Sequence, residues 1–213
     1  MKTVIVGVHL QREDIGTLAE VVPASGLFLS GVLVGEEQPL GDRALLLRVA
    51  EVRSRLLDRA TFIAVRYGFT VRGPDEAAAK CAEPAAAWRA LLQRHRDDVE
   101  MTLKAAAAAP ARRPDRTEFA AGADYLRALH AAASTIDVDP SFRSAAEREL
   151  VPLATRFRWL RETTALELAL LVPRGRVEDV NAAGERLRKA FASVPFLLSG
   201  PWPLEVFTHD DHE

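Results

Sequence analysis

The alternation of hydrophobic and polar positions in the first part of the chain predicts strands around one amphipathic helix. Apolar residues alternate in Thr3–His9 and form a continuous run in Gly26–Val34, and both patterns are typical of strands. After Asp42, a residue type favoured at helix N-caps, apolar residues recur at helical spacing. These positions are Leu45, Val49, Val52 and Leu56. Alternation returns in Thr61–Val71, so the predicted order is strand, strand, helix, strand.

The second part of the chain begins with helical patterns and then returns to strands. Gly73-Pro74 marks a break, and the alanine-rich stretch after it is helical with an interruption at Pro84. Val99–Ala105 and Thr164–Val172 alternate as strands do, and Val177–Phe191 has helical spacing. The order strand, helices, two strands, helix, strand is that of a ferredoxin-like domain with inserted helices.

These patterns predict an α+β fold with two domains. We place an N-terminal α+β domain at residues 1–73 and a connecting helical segment at 74–98. Residues 99–213 form the predicted ferredoxin-like C-terminal domain, with a helical insertion and a C-terminal tail.

Two segments of the predicted C-terminal domain carry weaker signals. Lys104–Arg116 is rich in alanine, proline and arginine without periodicity, which predicts a mobile loop. Thr117 could cap the following helix, whose predicted core residues are Phe119, Leu126 and Leu129. Near the end of the chain, Phe196–Ser199 and Leu204–Thr208 are predicted to be extended, on either side of Gly200-Pro201-Trp202-Pro203.

Composition and charge narrow the functional classes. The 213 residues are 48% hydrophobic and 27% charged, as in ordinary globular proteins. The net charge of −2 predicts no strong attraction to nucleic acid or to an anionic membrane. The sequence has no signal-peptide pattern and no apolar run of membrane-spanning length, and its single cysteine, Cys81, excludes an internal disulfide. We therefore expect a soluble cytoplasmic protein.

Candidate catalytic and metal-binding residues are few. The sequence contains no nucleophile elbow, phosphate-binding loop, dinucleotide fingerprint or zinc-protease motif. Cys81 has no histidine beside it in sequence, and His9, His95 and His130 lie on separate elements, as structural histidines do. The terminal run His209–Glu213 has metal-binding residue types, but such runs are usually frayed tails. We expect no catalytic site, no metal site and no cofactor.

Two elements stand out as possible contact sites. Arg66 interrupts the apolar run of its strand just before Tyr67, and either pairs with an acid of the protein or binds an anionic group; we favour a structural ion pair. Trp202 lies between two prolines, which restrict its backbone and make the indole suitable for interdomain packing or for contact with a partner. Of these two, interdomain packing is the commoner role of a large aromatic residue.

Several short motifs, in this order, resemble the GvpF/GvpL family of gas vesicle proteins. Arg66–Phe69 (RYGF) is similar to the family's arginine-aromatic-glycine element. Val99–Lys104 (VEMTLK) resembles the glutamate-containing strand that opens the family's second domain, and Asp124–Leu126 (DYL) resembles a helix start that follows it. Ser199–Pro203 (SGPWP), ahead of Phe207, resembles the family's terminal Gly-Pro-Trp-Pro element and is the most specific of these motifs.

The resemblance implies a function as well as a fold. It implies two α+β domains, the second ferredoxin-like, in a non-enzymatic cytoplasmic protein needed for gas vesicle formation. Its implied partners are the small hydrophobic shell subunit and other gas vesicle accessory proteins. Interdomain or partner contacts are expected at Arg66, Tyr67, Trp202 and Phe207. Two alternatives remain open: a ferredoxin-like module that binds a small ligand, and a minor structural component of the vesicle shell.

Overall fold

The computed structural model describes residues 1–106, 114–134, 138–162 and 165–209. The chain forms two compact units. The first, here called the terminal unit, contains Met1–Val99 together with Pro201–Glu213, and the second, the central unit, contains Glu100–Gly200. Residues from Pro201 onward therefore cluster with the beginning of the chain, and the domain limits drawn from the sequence stay a prediction.

The terminal unit is built on one antiparallel sheet with helices. Its strands are β1 (Lys2–His9), β2 (Glu20–Ala24), β3 (Leu27–Val34), β4 (Ile63–Ala64) and β5 (Thr70–Val71), in the order β2–β3–β1–β4, with β5 also paired to β1. Its helices are α1 (Arg43–Arg59), α2 (Pro74–Cys81) and α3 (Ala85–Arg94). The interruption predicted at Pro84 is confirmed, because α3 begins directly after this proline.

Helix α1 follows its predicted pattern. The side chain of Asp42 accepts a hydrogen bond from the Ala44 amide at 2.9 Å, so the predicted N-cap is confirmed. Three of the four predicted stripe residues are fully buried, and Val49 is half-buried. Leu45, Val49 and Val52 pack on the sheet against Val4, Val6, Val32 and Val34. Leu56 packs with Ile15 and Phe62. Burial of this apolar surface is what holds the helix to the sheet.

The terminal unit differs from the prediction in two strands. Strand β2 was missed because Pro23 lies inside it, and proline is compatible with a strand mainly at a sheet edge, where β2 lies. The segment Thr61–Val71, predicted as one strand, is instead divided into β4 and β5 by a turn. Gly68 occupies that turn with a φ of +94°, a backbone conformation that ends the strand.

The central unit has a second sheet and three helices in its described residues. The strands of this sheet are β6 (Asp98–Ala106), β7 (Arg156–Glu162), β8 (Ala165–Pro173) and β9 (Phe196–Trp202), in the order β7–β8–β6–β9. The first two residues of β6 and the last two of β9 fall within the limits of the terminal unit. The helices of the central unit are α4 (Gly122–Ser134), α5 (Pro140–Leu150) and α6 (Val177–Ala190). The chain is thus a mixed α+β protein with two antiparallel sheets. No helix in the described part of the chain has an apolar stretch long enough to cross a lipid bilayer.

The core of the central unit lies between its sheet and helices α5 and α6. Phe142 is fully buried there, with its ring centroid 5.4 Å from that of Phe191 and 5.1 Å from that of Phe196. Of the α4 residues whose side chains the structure describes, 122–130, none belongs to this core. Leu126 is 62% exposed, so its predicted core position is wrong, while Phe119 contacts Tyr125 beside it. The predicted loop Lys104–Arg116 lies partly outside the described residues, and its first three residues belong to β6.

Candidate functional site

The turn between β4 and β5 carries the first pair of predicted site residues. The Phe69 amide donates to the Arg66 carbonyl at 3.1 Å, which closes a four-residue turn with Gly68 in its third position. A positive φ at this position is the requirement of a type II turn, and glycine meets it without steric cost. The turn leaves the side chains of Arg66 and Tyr67 exposed to solvent.

Tyr67 and Arg66 have different surroundings. The Tyr67 hydroxyl donates to the Leu40 carbonyl, so this side chain fastens the loop that precedes α1. The Arg66 guanidinium makes no hydrogen bond or ion pair with any described residue, and the structural ion pair favoured from the sequence is therefore not found. An exposed guanidinium in this position can bind an anionic group of another molecule.

The same loop is held at a second point by charge. Arg72 binds the Glu36 carboxylate at 2.7 Å, and the Lys2 ammonium donates to the Glu36 carbonyl at 2.6 Å. The hydrogen bond from Arg72 lowers the pKa of Glu36 below its ordinary value. Since these groups are on the surface, the pair orients the loop more than it stabilises the fold.

The C-terminal segment returns to the terminal unit and pairs with β4. The Leu204 amide donates to the Phe62 carbonyl at 2.9 Å, and the Ala64 amide donates to the Leu204 carbonyl at 3.1 Å. Leu204 forms a parallel bridge with Ile63. Residues close to the end of the chain therefore extend the sheet that the first residues of the chain begin.

Burial in this segment falls on residues other than the expected tryptophan. Leu204 and Phe207 are 0% and 2% exposed, whereas Trp202, at the end of β9, is 45% exposed. The segment predicted as extended, Leu204–Thr208, instead ends in a 3₁₀ turn at Val206–His209. Sequence reasoning missed the importance of Leu204, although its apolar spacing from Phe207, three residues later, is the signal of one buried face.

The four predicted contact residues all lie in the terminal unit. Arg66 and Tyr67 follow β4 directly, while Trp202 and Phe207 flank Leu204, the residue that pairs with β4. The pairing of Ile63 with Leu204 thus connects the turn at Arg66 and the segment around Trp202 to the same strand, β4. Their exposure differs: Arg66, Tyr67 and Trp202 are exposed, whereas Phe207 is buried.

Two histidines of the terminal unit are buried and hydrogen-bonded. The Nδ1 of His9 lies 2.5 Å from the Gln11 carbonyl, and its Nε2 lies 2.8 Å from the Ser30 hydroxyl. A carbonyl can only accept, so Nδ1 carries the proton and Nε2 accepts from Ser30. Burial lowers the pKa of His9, which keeps the ring neutral.

The second buried histidine, His95, fixes the turn before β6. Its Nδ1 donates to the Asp98 carboxylate at 2.9 Å, and the Asp98 carbonyl accepts from the Thr61 hydroxyl at 2.7 Å. The Nε2 of His95 is buried and has no partner among the described groups. A histidine paired with an aspartate also occurs in nucleophilic catalysis, but His95 is only 6% exposed, which closes it to a substrate.

Other reactive residue types give no reacting arrangement in the described structure. Cys81 is fully buried, and burial raises the pKa of its thiol, which disfavours the reactive thiolate. Within residues 1–106, 114–134, 138–162 and 165–209, no group of three or more histidine, cysteine, aspartate and glutamate residues is placed to hold a metal ion. The terminal run that begins at His209 continues into residues 210–213, which lie outside the described residues.

Comparisons with known proteins agree on one family. The model of the family described as "Gas vesicle synthesis protein GvpL/GvpF" matches residues 15–207. The crystal structure of the gas vesicle protein GvpF from Anabaena sp. PCC7120 is similar, with a TM-score of 0.71, 15% sequence identity, and coverage of 99% of both chains. That of GvpF from Microcystis aeruginosa is also similar, with a TM-score of 0.70, 10% identity, and coverage of 97% of this chain and 98% of that one.

Sequence identities this low show a shared fold, and the family assignment rests on the sequence match. Comparison with curated protein sequences gave no match. The family match nevertheless covers nearly the whole chain, including the Arg66 turn and the segment through Phe207. This chain belongs to the gas vesicle synthesis protein GvpL/GvpF family.

Proposed function

We propose that this protein supports gas vesicle formation by binding the small hydrophobic shell subunit before the subunit enters the vesicle wall. The observation that carries the proposal is the family match over residues 15–207. In this role the protein is an assembly chaperone without enzymatic activity, and it acts in the cytoplasm and at the growing vesicle. Other gas vesicle accessory proteins are further partners.

The surface chemistry of the described residues supports a binding role. A small shell subunit with exposed apolar surface aggregates unless another protein covers that surface. This chain exposes large hydrophobic side chains on both units. Among them are Leu33, Leu46, Leu47, Tyr67, Phe157, Leu160, Leu197 and Trp202. Such residues lose unfavourable contact with water when a partner covers them, which favours association.

The four contact residues predicted from the sequence fit this role in two ways. Arg66, Tyr67 and Trp202 are proposed as direct partner contacts, because all three are exposed and arginine, tyrosine and tryptophan are enriched in binding hot spots. Phe207 is proposed as support for Trp202, since its burial holds the segment in which Trp202 lies.

We also infer a ferredoxin-like arrangement for the central unit. Two observations support it: the chain order strand, helices, two strands, helix, strand, and the sheet order second, third, first, fourth strand. The open edges of such a sheet offer places where a partner segment could add.

Co-expression tests the proposed function. The tagged full-length protein is produced together with a gas vesicle shell subunit, and the material retained on the affinity resin is measured. We expect the shell subunit to be retained and to stay in the soluble fraction only when this protein is present. A shell subunit that is soluble but is not retained by the tagged protein contradicts the proposal. Repeated washing of isolated vesicles separates this role from that of a structural shell component, which would stay on the vesicle.

A further inference from the structure

A groove of about 460 Å³ lies at one end of the central sheet and takes residues from all four strands or their flanks. Strand β6 supplies Lys104 to the groove, β7 supplies Arg161 and β8 supplies Glu167. Leu197 of β9 and Pro195 just before it complete the lining, together with small alanine side chains. The groove thus combines a charged side with an apolar side within one unit of the protein.

The charged side has more positive than negative charge. One Glu167 carboxylate oxygen binds the Lys104 ammonium at 2.8 Å, and the other lies 3.6 Å from Nε of Arg161. The Glu167 side chain is 18% exposed, whereas those of Lys104 and Arg161 are 59% and 72% exposed. Among the lining residues that the structure describes, two cations share one carboxylate and leave a formal charge of +1, so a second carboxylate would complete the pairing.

The apolar side is formed by Leu197, which the described part of the chain leaves exposed. Side chains alternate between the two faces of a strand, and Phe196 and Leu198 both pack against the core of the central unit. Leu197, between them, points to the opposite face and is 60% exposed. A leucine exposed to this extent beside a groove offers an apolar contact to a bound segment.

We propose that this groove binds an amphipathic segment of the shell subunit. An apolar side chain of that segment covers Leu197, and an aspartate or glutamate one helical turn away binds between Lys104 and Arg161. The choice of occupant rests on charge and shape: an acidic residue next to an apolar one complements both sides of the groove. This inference rests on the proposed function and adds to it the location and the chemistry of the contact.

The test uses the full-length protein co-expressed with the shell subunit, and it compares variants in the groove with matched variants outside it. Leu197→Ser removes the apolar contact, and its control is Leu126→Ser, a leucine of the same unit with 62% exposure. Lys104→Glu reverses one charge, and its control is Arg127→Glu on α4, whose side chain is 79% exposed. The readout is the amount of shell subunit retained per amount of tagged protein.

We expect each groove variant to reduce the retained shell subunit at least fivefold, while each control stays within twofold of the unchanged protein. Retention by the unchanged protein should also fall when the salt concentration is raised, because screening weakens the carboxylate contact. If the unchanged protein retains the shell subunit and both groove variants retain it equally well, the groove is not the contact site, although the proposed function stands. If the unchanged protein retains none, the proposed function fails and the groove assignment fails with it.

Measurements on the isolated protein identify other occupants of the groove. A lower melting temperature of Leu197→Ser than of Leu126→Ser means that the protein's own chain covers Leu197, which overturns the proposal. A dimer of the unchanged protein that Leu197→Ser dissociates assigns the groove to a second copy and also overturns it. Equal melting temperatures of the two variants support the proposal, as does elution of the unchanged protein and both variants as monomers in size-exclusion chromatography.

Discussion

Replacement of Phe207 by alanine tests whether the C-terminal segment is held by its buried residues. Phe207 is 2% exposed, so truncation removes almost all of a large ring from the core of the terminal unit. Burial of such a side chain stabilises a fold by about 1.5–3 kcal/mol, and the cavity left behind raises the cost of Phe→Ala to about 3–5 kcal/mol. Since typical domains are stable by about 5–15 kcal/mol, this loss is a large part of the total.

The measurement is urea unfolding followed by far-ultraviolet circular dichroism, a signal that does not depend on any single tryptophan. Trp202→Ala serves as the comparison, because its indole is 45% exposed and its loss should cost less than about 2 kcal/mol. We expect a markedly lower urea midpoint for Phe207→Ala than for Trp202→Ala. The reasoning is refuted if Phe207→Ala unfolds within about 1 kcal/mol of the unchanged protein, or if Trp202→Ala is the more damaging change.

Two further predictions concern the terminal unit. Burial lowers the pKa of His9, so below about pH 6.5 the unfolded chain binds more protons than the folded one. The free energy of unfolding should therefore fall, as the pH is lowered below this value, by up to about 1.4 kcal/mol per pH unit. Urea midpoints at several pH values measure this slope, and His9→Gln should reduce it. A Cβ at Gly31 would lie 2.2 Å from the Val4 carbonyl oxygen, so Gly31→Ala should lower the free energy of unfolding by about 1–3 kcal/mol in the same assay. The control is Gly35→Ala, which has open space around it and should change the stability very little. Equal stabilities of the two variants would contradict this packing.

Strong periodicity explains which elements the sequence predicted well. Helix α1 and strand β8 each carry apolar residues at one fixed spacing: α1 begins directly after the predicted cap Asp42 and contains the whole predicted stripe, and the predicted limits of β8 lie within one residue of the observed ones. The sequence pattern did not predict the limits of strand β7, because arginines occupy several of its positions (RFRWLRE) and only one of its faces meets the core. An edge strand of this kind has too little apolar surface to produce a clear pattern.

The candidate site was less predictable, because burial depends on contacts between distant parts of the chain. The proline residues around Trp202 indicate restricted backbone freedom, but they do not indicate which neighbour is buried. That choice depends on the pairing of Leu204 with Ile63, which joins the two ends of the sequence. The groove at Leu197 was missed for the same reason, since its residues come from four strands that are adjacent only in the folded sheet.

The division of the chain makes stability and partner binding separately testable. Phe207, His9 and Gly31 belong to the terminal unit, whereas Lys104 and Leu197 belong to the central unit. Because Lys104 and Leu197 are exposed, replacing them should change shell-subunit retention and leave the unfolding midpoint nearly unchanged. Phe207→Ala should lower the unfolding midpoint, because Phe207 is buried. Retention by the folded Phe207→Ala variant, measured without urea, then tests the proposed contacts of the terminal unit: reduced retention supports the contact at Trp202, and unchanged retention contradicts it.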